Sequence, residues 1–179
     1  MNVITLNLGQ LQTNCYLVIC SQTQKTIIID PADDANFISE KILREKLEPI
    51  AIVATHGHFD HILAAQELQL AFNIPFFIHQ NDQKILFKMN QSASWWLKRE
   101  IIESPPKINK FLKESETIKF GQEKLKVMET PGHTPGSICL YNQEEKILFS
   151  GDTIAEKIKQ RFAGFHVYPG HGKSFTLTA

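Results

Sequence analysis

A dense group of potential metal ligands lies at residues 55–61, which read Thr-His-Gly-His-Phe-Asp-His. Three of the seven histidines in the chain lie in this short stretch. Neutral imidazole and carboxylate groups are the side chains that bind zinc and its neighbouring transition metals. The packing of a buried strand does not require so many of these side chains at its end. The stretch therefore predicts a metal site, with candidate ligands His56, His58, Asp60 and His61.

Three further candidates follow the same pattern later in the chain. His133, Asp152 and His171 each lie in a glycine-containing turn directly after a predicted strand. Such turns display functional side chains on a rigid scaffold. A tetrahedral zinc site with catalytic function uses about three protein ligands plus water. Seven candidate ligands therefore correspond to two metal sites.

The chemistry of these side chains suggests how they divide between two divalent ions. Residues two apart in an extended segment point the same way, so His56 and His58 can bind one ion together. Asp152 has two carboxylate oxygens and can bridge the ions. Zinc is the expected metal, with iron and manganese as alternatives because all three accept histidine and aspartate ligands. The expected sets are His56, His58 and His133 for the first ion, and Asp60, His61 and His171 for the second.

The elements that must position these ligands are strands and helices in a regular order. Apolar runs rich in Val, Ile and Leu predict strands, and helical periodicity between them predicts helices. Each half of the chain runs from strands to a helix and back to a strand, and the ligand candidates fall at strand ends. This order predicts two sheets covered by outer helices, an α/β layered sandwich. Residues 1–179 are expected to form one domain.

The predicted elements can be given by their bounds. Residues 92–113, which include Trp95-Trp96 and Pro105-Pro106, are expected to be an excursion over one face rather than a core element. Helices are predicted at 34–46, with Asp33 or Asp34 as cap, at 62–72, at 81–89, with Asn81 or Asp82 as cap, and at 155–162. Strands are predicted at 3–8, 15–20, 26–29, 49–54, 75–78, 117–120, 124–129, 137–141, 146–150 and 165–168.

The composition excludes some classes of function. Nineteen basic residues balance nineteen acidic ones, so no charge excess favours nucleic acid or an anionic membrane as partner. Residues 1–20 contain no basic residue and are interrupted by polar ones, which is typical of neither a signal peptide nor a membrane span. The three cysteines form no Cys-x-x-Cys motif, so a reducing cytoplasm is the expected compartment.

Other residues allow more than one interpretation. Asp30, after a strand, is either an outer partner of a ligating histidine or a turn-forming residue before proline. Trp95 and Trp96 are interpreted as packing under a lid rather than as a platform for substrate. Structural roles are expected for His79, His166 and Cys139.

Four ordered motifs resemble the metallo-β-lactamase superfamily, and the resemblance covers nearly the whole chain. Two shorter motifs, Thr-Asn-Cys-Tyr at 13–16 and Ile-Asp-Pro at 29–31, resemble its glyoxalase II-like branch, the hydroxyacylglutathione hydrolases. The four motifs are residues 55–61, Thr-Pro-Gly-His-Thr-Pro-Gly-Ser at 130–137, Ser-Gly-Asp-Thr at 150–153 and Tyr-Pro-Gly-His-Gly at 168–172.

The resemblance implies a four-layer αββα fold, the two-metal site divided as above, and hydrolysis, most often of a small-molecule thioester. In such a site a hydroxide bridging the two ions is the nucleophile. One ion polarises the substrate carbonyl and the other stabilises the departing thiolate. The resemblance gives Asp60 a catalytic role besides metal binding, because it orients the hydroxide and carries its proton.

The chain departs from the branch in its last part. The segment between Asp152 and His171 is much shorter than is usual in the family, and it carries no loop for glutathione. The helical extension that also holds glutathione does not follow within the 179 residues. Lys173 is the one nearby cation proposed for a substrate carboxylate, and a solvated lysine is the other interpretation.

Three functions follow from these observations. The favoured one is a metal-dependent hydrolase of small acyl thioesters, while hydrolysis of lactones or β-lactams would use the same site. A mononuclear iron enzyme of the persulfide dioxygenase kind is the second. A metal-binding or partner-binding protein that has lost turnover, because supporting structure around the site is shortened, is the third. The sequence predicts no oligomeric state.

Overall fold

The structure is a computed structural model that describes residues 1–178, so Ala179 of the predicted domain lies outside the described residues. Two mixed sheets of six strands each form within these residues. The first has the order β1-β2-β3-β4-β5-β6, with β1 Asn2–Leu8, β2 Thr13–Ile19, β3 Lys25–Ile29, β4 Glu48–Val53, β5 Phe76–His79 and β6 Ile108–Leu112. The second has the order β12-β11-β10-β9-β8-β7, with β7 Thr117–Phe120, β8 Glu123–Glu129, β9 Ile138–Asn142, β10 Ile147–Gly151, β11 His166–Pro169 and β12 Phe175–Thr176.

The helices lie between the strands in the chain and cover the outer faces of the sheets. Two short 3₁₀ turns at Phe59–His61 and Gln80–Asp82 follow β4 and β5. The α-helices are α1 Ala35–Arg44, α2 Ala65–Phe72, α3 Gln83–Leu86, α4 Met89–Leu97 and α5 Ala155–Phe162.

Alternating side chains of the central strands explain the layers. In β3, Ile28 packs in the core beneath α1 and α2, whereas Ile27 and Ile29 pack between the two sheets. A third core lies between the second sheet and α5, around Phe162. Because both faces of β3 are covered, the strand is apolar at every central position. The predicted α/β sandwich with helices outside two sheets is therefore confirmed.

Helix α1 shows how closely some local predictions hold. Asp34 caps the helix, since its side chain accepts a hydrogen bond from the backbone N–H of Phe37. Ile38 and Ile42 are fully buried against the first sheet, and burial of each side chain contributes roughly 1.5–3 kcal/mol. The helix ends at Arg44, two residues before the predicted end.

The prediction that residues 92–113 form an excursion over one face rather than a core element is wrong in two places, since Ala93 of α4 and Leu112 of β6 are fully buried. Trp95 and Trp96 lie within α4, and β6 pairs in parallel with β5 at the edge of the first sheet. The strand signal of β6 is weak because Asn109 and Lys110 face solvent, as is usual for charged residues on an edge strand.

The helices predicted at 62–72 and 81–89 also differ from those observed. Helix α2 begins at Ala65, because the 3₁₀ turn Phe59–His61 precedes it and Ile62 has a non-helical backbone conformation. Residues 80–89 form a 3₁₀ turn, the short α3 and the start of α4. Asp82 precedes α3 without capping it, because its side chain points away to other partners. Strand β12 was not predicted, since its two residues are exposed.

Candidate metal centre

All seven candidate ligands lie together at the carboxyl ends of strands. The turn after β4 holds four of them, and the β8–β9 turn holds His133. Asp152 follows β10, and His171 follows β11, the parallel neighbour of β10. Since parallel neighbours end at the same edge of a sheet, the fold brings distant parts of the sequence to one point.

The first trio consists of His56, His58 and His133. His58 Nδ1 lies 3.1 Å from His56 Nε2 and 2.9 Å from His133 Nε2. The three nitrogens all lie within 4.8 Å of one another. Such a spacing lets three imidazole nitrogens face one cation.

The second trio consists of Asp60, His61 and His171. Asp60 Oδ2 lies 3.5 Å from His61 Nε2 and 3.3 Å from His171 Nε2. These three atoms also form a group that could hold a metal ion. The sequence-based division of six of the seven candidates into two sets therefore corresponds to two of three potential metal groups, and the third group, His56, His61 and Asp152, spans both trios.

Asp152 lies between the two trios. Its Oδ1 is 3.5 Å from His61 Nε2, and its Oδ2 is 3.3 Å from His133 Nε2 and 3.7 Å from His171 Nε2. One carboxylate thus contacts both groups, as a bridging ligand would. Gly170 makes this approach possible, because a Cβ there would collide with the Asp152 carboxylate and lie 2.7 Å from His61 Cε1.

Outer partners fix the orientation of the histidine rings. His171 Nδ1 lies 3.1 Å from the Leu11 carbonyl oxygen, and His61 Nδ1 lies 2.9 Å from Asp30 Oδ2. Because these partners only accept, the Nδ1 atoms donate, and each Nε2 is directed at the cluster. Rings that are oriented in this way are suited to metal binding.

Asp30 has the first of the two roles that the sequence left open. Besides His61, its carboxylate accepts hydrogen bonds from the backbone N–H and the hydroxyl of Thr55, each at 2.7 Å. The Thr55 hydroxyl in turn lies 3.1 Å from His56 Nδ1. Asp30 is therefore an outer partner of both trios, and it is only 1% exposed.

Two other partners of the site were missed by the sequence analysis. Thr13 donates its hydroxyl to Asp60 Oδ2 at 2.9 Å. Asn14 donates its side-chain amide to the carbonyl oxygens of Pro169 and Gly172, which flank the turn carrying His171. The signal was present in the motif at 13–16, but its chemistry depends on partners far along the chain.

The two trios differ in electrostatic environment. Burial lowers the pKa of His56 well below its ordinary value, and the neighbouring imidazoles lower it further. Burial also lowers the pKa of His58, with His133 as the next cause. In His61 burial again disfavours the charged form, but Asp30 and other carboxylates outweigh it and raise the pKa to about 10.

The residues present fit divalent metal ions. His61 Nε2 is buried without a hydrogen-bond partner among residues 1–178, which is costly for a polar atom. The neighbouring carboxylates favour a positive charge at this point, as the raised pKa of His61 shows. Imidazole and carboxylate donors suit zinc, iron and manganese.

The remaining predictions have mixed outcomes. Trp95 and Trp96 are 64% and 59% exposed, so packing under a lid is wrong for them. Cys139 is buried in β9, where burial raises the pKa of its thiol to about 11, which confirms a core role. Lys173 lines an open groove of about 650 Å³ together with Asn14.

The two histidines outside the motifs take no part in the cluster. His79 Nδ1 accepts the backbone N–H of Asn81, and its Nε2 lies 3.2 Å from Glu129. The ring of His166 lies edge-on to Tyr168. Neither belongs to a potential metal group among the described residues, and structural roles stay the prediction for both.

Comparison with known families defines the class of protein. Residues 8–178 match the metallo-β-lactamase superfamily, so the chain belongs to that superfamily. Its members are mostly metal-dependent hydrolases. The predicted superfamily and its fold are therefore confirmed. Across residues 1–178 no helix is both long and apolar enough to cross a membrane.

Three relatives are similar to this chain over more than four fifths of its length. An uncharacterized protein of Aquifex aeolicus is 33% identical over 86% of this chain and 71% of its own length. The probable metallo-hydrolase YqgX of Bacillus subtilis is 31% identical over 82% of this chain and 68% of its own. The hydroxyacylglutathione hydrolase GloC of Haemophilus influenzae is 30% identical over 86% of this chain and 72% of its own length.

Two solved structures share the fold over nearly their whole length. The BLEG-1 B3 metallo-β-lactamase has a TM-score of 0.87 at 29% identity, covering 98% of this chain and 94% of its own. TTHA1623, solved in a di-iron-bound form, also has a TM-score of 0.87, at 28% identity and coverage of 98% and 95%.

Proposed function

We propose that this protein is a hydrolase of small acyl thioesters of the glyoxalase II-like kind, with two divalent ions bound by the two trios and bridged by Asp152. The observation that carries the proposal is the position of Asp152, whose oxygens lie 3.3–3.5 Å from a nitrogen of each trio. Similarity to the hydroxyacylglutathione hydrolase of Haemophilus influenzae supports the choice of thioesters.

The two ions would supply Lewis acidity, which lowers the pKa of water towards neutrality and stabilises the negative charge that develops on a carbonyl oxygen. The protein's own residues hold the geometry. Asp60 directs Oδ2 to Thr13 and to the histidines of its trio. Its Oδ1 has no hydrogen-bond partner among residues 1–178 and would be available to hold a water proton. Asp30 fixes the orientation of the His61 ring by accepting a hydrogen bond from its Nδ1. No side-chain nucleophile is required.

An open cavity next to the ligands offers space for substrate. It has a volume of about 270 Å³ and is lined by His133, Asp152, Thr153 and Ile154, among others. Ile154 is 60% exposed and presents an apolar side chain at the rim. This volume lies just below the range of about 300–1,000 Å³ that is typical of small-molecule pockets, which suits a small acyl group.

Thiol release from a panel of acyl thioesters tests this function. The metal-loaded protein is incubated with hydroxyacylglutathione and with acetyl thioesters of smaller thiols, and free thiol is measured with a colorimetric reagent. Hydrolysis of at least one member is expected, and Asp60→Asn should abolish it while metal content is monitored. No thiol release from any member by protein containing two ions would contradict the proposal.

Zinc is proposed as the metal, and the di-iron form of TTHA1623 makes iron the main alternative. Elemental analysis of the purified protein gives the identity and number of the ions. One iron per chain with oxygen uptake in the presence of a persulfide would instead favour the dioxygenase. We also propose that the chain forms one domain and acts in a reducing cytoplasm, which suits its three free cysteines.

A further inference from the structure

Asp82 is a fully buried carboxylate outside the seven candidate ligands. It ends the 3₁₀ turn after β5 and makes no capping hydrogen bond to α3. Its Oδ2 accepts hydrogen bonds from the backbone N–H of Gly57 at 2.8 Å and from the hydroxyl of Thr134 at 2.6 Å. Its Oδ1 accepts the backbone N–H of Gly136 at 2.6 Å. The carboxylate is thus held by three donors.

These donors belong to the two loops that carry the first trio. Gly57 lies between His56 and His58, and Thr134 directly follows His133. Asp82 therefore joins the loop at 55–61 to the loop at 130–137, which is 75 residues away when measured from His58 to His133. All three ligands of the first trio are adjacent in sequence to a group that Asp82 binds.

The fit of both loops against Asp82 is tight. A Cβ on Gly136 would lie 2.7 Å from the Asp82 Oδ1, and a Cβ on Gly57 would lie 3.0 Å from its backbone oxygen. Real Cβ atoms essentially never approach as closely as the Gly136 position would require, so a side chain there would displace the loop, and the Gly57 position leaves room for a side chain only if Asp82 shifts slightly. The carboxylate and the two glycines set the distance between the loops.

The energetics favour a role in positioning. A buried carboxylate is costly unless it is compensated, and charge-assisted hydrogen bonds are about twice as strong as neutral ones. Here every compensating donor comes from a ligand loop. These hydrogen bonds therefore stabilise one arrangement of the two loops, which is what a preformed metal site needs.

We propose that Asp82 is a positioning residue for the first metal ion, acting through the backbone of the loops that carry His56, His58 and His133. This inference rests on the metal binding of the proposed function. Thr134 takes part in the same network, because its hydroxyl also lies 2.8 Å from the hydroxyl of Ser137. Asp30 has the corresponding role for the second trio, but it acts by a direct hydrogen bond to the His61 ring.

The variant Asp82→Asn tests the role with little change in size. An amide has one acceptor oxygen and one donor group, so it cannot accept from the Gly57 side and from the Gly136 side together. One loop would then face an N–H group and move away. Loss of an outer partner of a metal site typically weakens metal binding by about 10- to 100-fold.

Two variants, each lacking one ligand, serve as backgrounds in which metal binding at each trio is measured separately. His171→Ala keeps the first trio intact, and His133→Ala keeps the second, so each background binds one ion. Zn²⁺ affinity is measured by competition with a chromophoric chelator. Asp82→Asn is expected to weaken binding at least about tenfold in the first background and to leave the second within about twofold. Equal effects in both backgrounds, or none in either, would overturn the inference.

Thr134 provides a test that does not depend on Asp82→Asn folding. Thr134→Val removes one of the three donors and should weaken Zn²⁺ binding several-fold in the His171→Ala background, whereas Thr134→Ser should restore it. The matched control is Asp34→Asn, an Asp-to-Asn change at an exposed helix cap that both residues can fill. Asp34→Asn should leave the Zn²⁺ affinity unchanged in both the His171→Ala and the His133→Ala background.

The outcomes distinguish this inference from the proposed function. Natural protein that binds no divalent ion would overturn the proposed function and this inference with it. Natural protein that binds two ions, with unchanged affinities in both Asp82→Asn and Thr134→Val, would overturn the inference alone. A lower melting temperature of Asp82→Asn without a change in Zn²⁺ affinity would assign it a purely structural role and would also overturn the inference.

Discussion

The two trios use the same kinds of side chains but are assembled in different ways. The first trio is all imidazole and comes from two loops, which bind the buried Asp82 through the backbone N–H groups of Gly57 and Gly136 and the hydroxyl of Thr134. The second trio contains a carboxylate and is supported by direct contacts of Asp30, Thr13 and the Leu11 carbonyl with its side chains. The first trio is thus held mainly through its loops, with one outer hydrogen bond from Thr55 to His56, whereas every ligand of the second trio has an outer hydrogen-bond partner of its own.

The difference extends to electrostatics. Around the first trio burial and neighbouring imidazoles lower the pKa values of His56 and His58, which keeps these rings neutral and available as ligands. Around the second trio carboxylates raise the pKa of His61 to about 10, so this region favours a positive charge. Two ions of equal charge would therefore meet one shared carboxylate, Asp152, at the first position, and at the second position they would also meet Asp60 and Asp30.

The largest effect is expected from the residue that both trios share. Asp152→Ala removes the carboxylate between them and leaves the ions without a common ligand. We expect kcat/KM for thioester hydrolysis to fall at least about 1000-fold, since metal catalysis supplies several kcal/mol. Initial rates of thiol release measure the loss. An activity within tenfold of the natural protein would show that Asp152 is not shared.

Removal of one ligand from each trio tests whether the sites are separate. His133→Ala and His171→Ala should each lower the metal content by about one ion per chain, because three protein ligands become two. Elemental analysis after gel filtration measures the content. Loss of both ions from either variant would mean that the two trios form a single cooperative site.

Asp30→Asn should affect the second trio more than the first. The amide can no longer accept from both Thr55 and His61, so the His61 ring loses its fixed orientation. Zn²⁺ affinity in the His133→Ala background should fall about 10- to 100-fold. The same measurement in the His171→Ala background serves as control, and an equal loss there would remove the distinction between the trios.

Thr13→Val should have the smallest effect of this series. It keeps the shape of the side chain and removes one hydrogen bond to the Asp60 carboxylate, which is worth about 1.5 kcal/mol at the low end for a charged acceptor. A decrease of about tenfold in kcat/KM is expected, and Thr13→Ser should recover most of it. Steady-state kinetics on one thioester substrate measure both variants. An unchanged rate for Thr13→Val would show that Asp60 keeps its place without this bond.

The parts of the molecule that could be predicted from sequence share a physical reason. Strands β3 and β4 are covered on both faces and are therefore apolar at successive positions, a pattern that is visible locally. The seven ligand candidates could be found because their side chains are scarce and lie next to turn residues. Strand β6 was missed because its Asn109 and Lys110 face solvent at the edge of the sheet.

The outer partners of the site were harder to predict from sequence than the ligands. Asp82 has the local sequence of a helix cap, but its partners lie 25 residues before it and 52 and 54 residues after it. Asp30 was left between two roles because its contact with His61 spans 31 residues. Hydrogen bonds of this range depend on the finished fold and leave no periodic signal in the sequence.

The contact between His171 and the Leu11 carbonyl has a consequence for how the protein folds and unfolds. It links positions 160 residues apart, so the His171 ring takes this orientation only after both ends of the described chain have docked. Because the closure of so long a loop is entropically unfavourable, we expect this contact to form late in folding. Contacts formed late mainly determine the rate of unfolding. An ion bound at the second trio would therefore act as a removable cross-link that slows unfolding and leaves the folding rate almost unchanged.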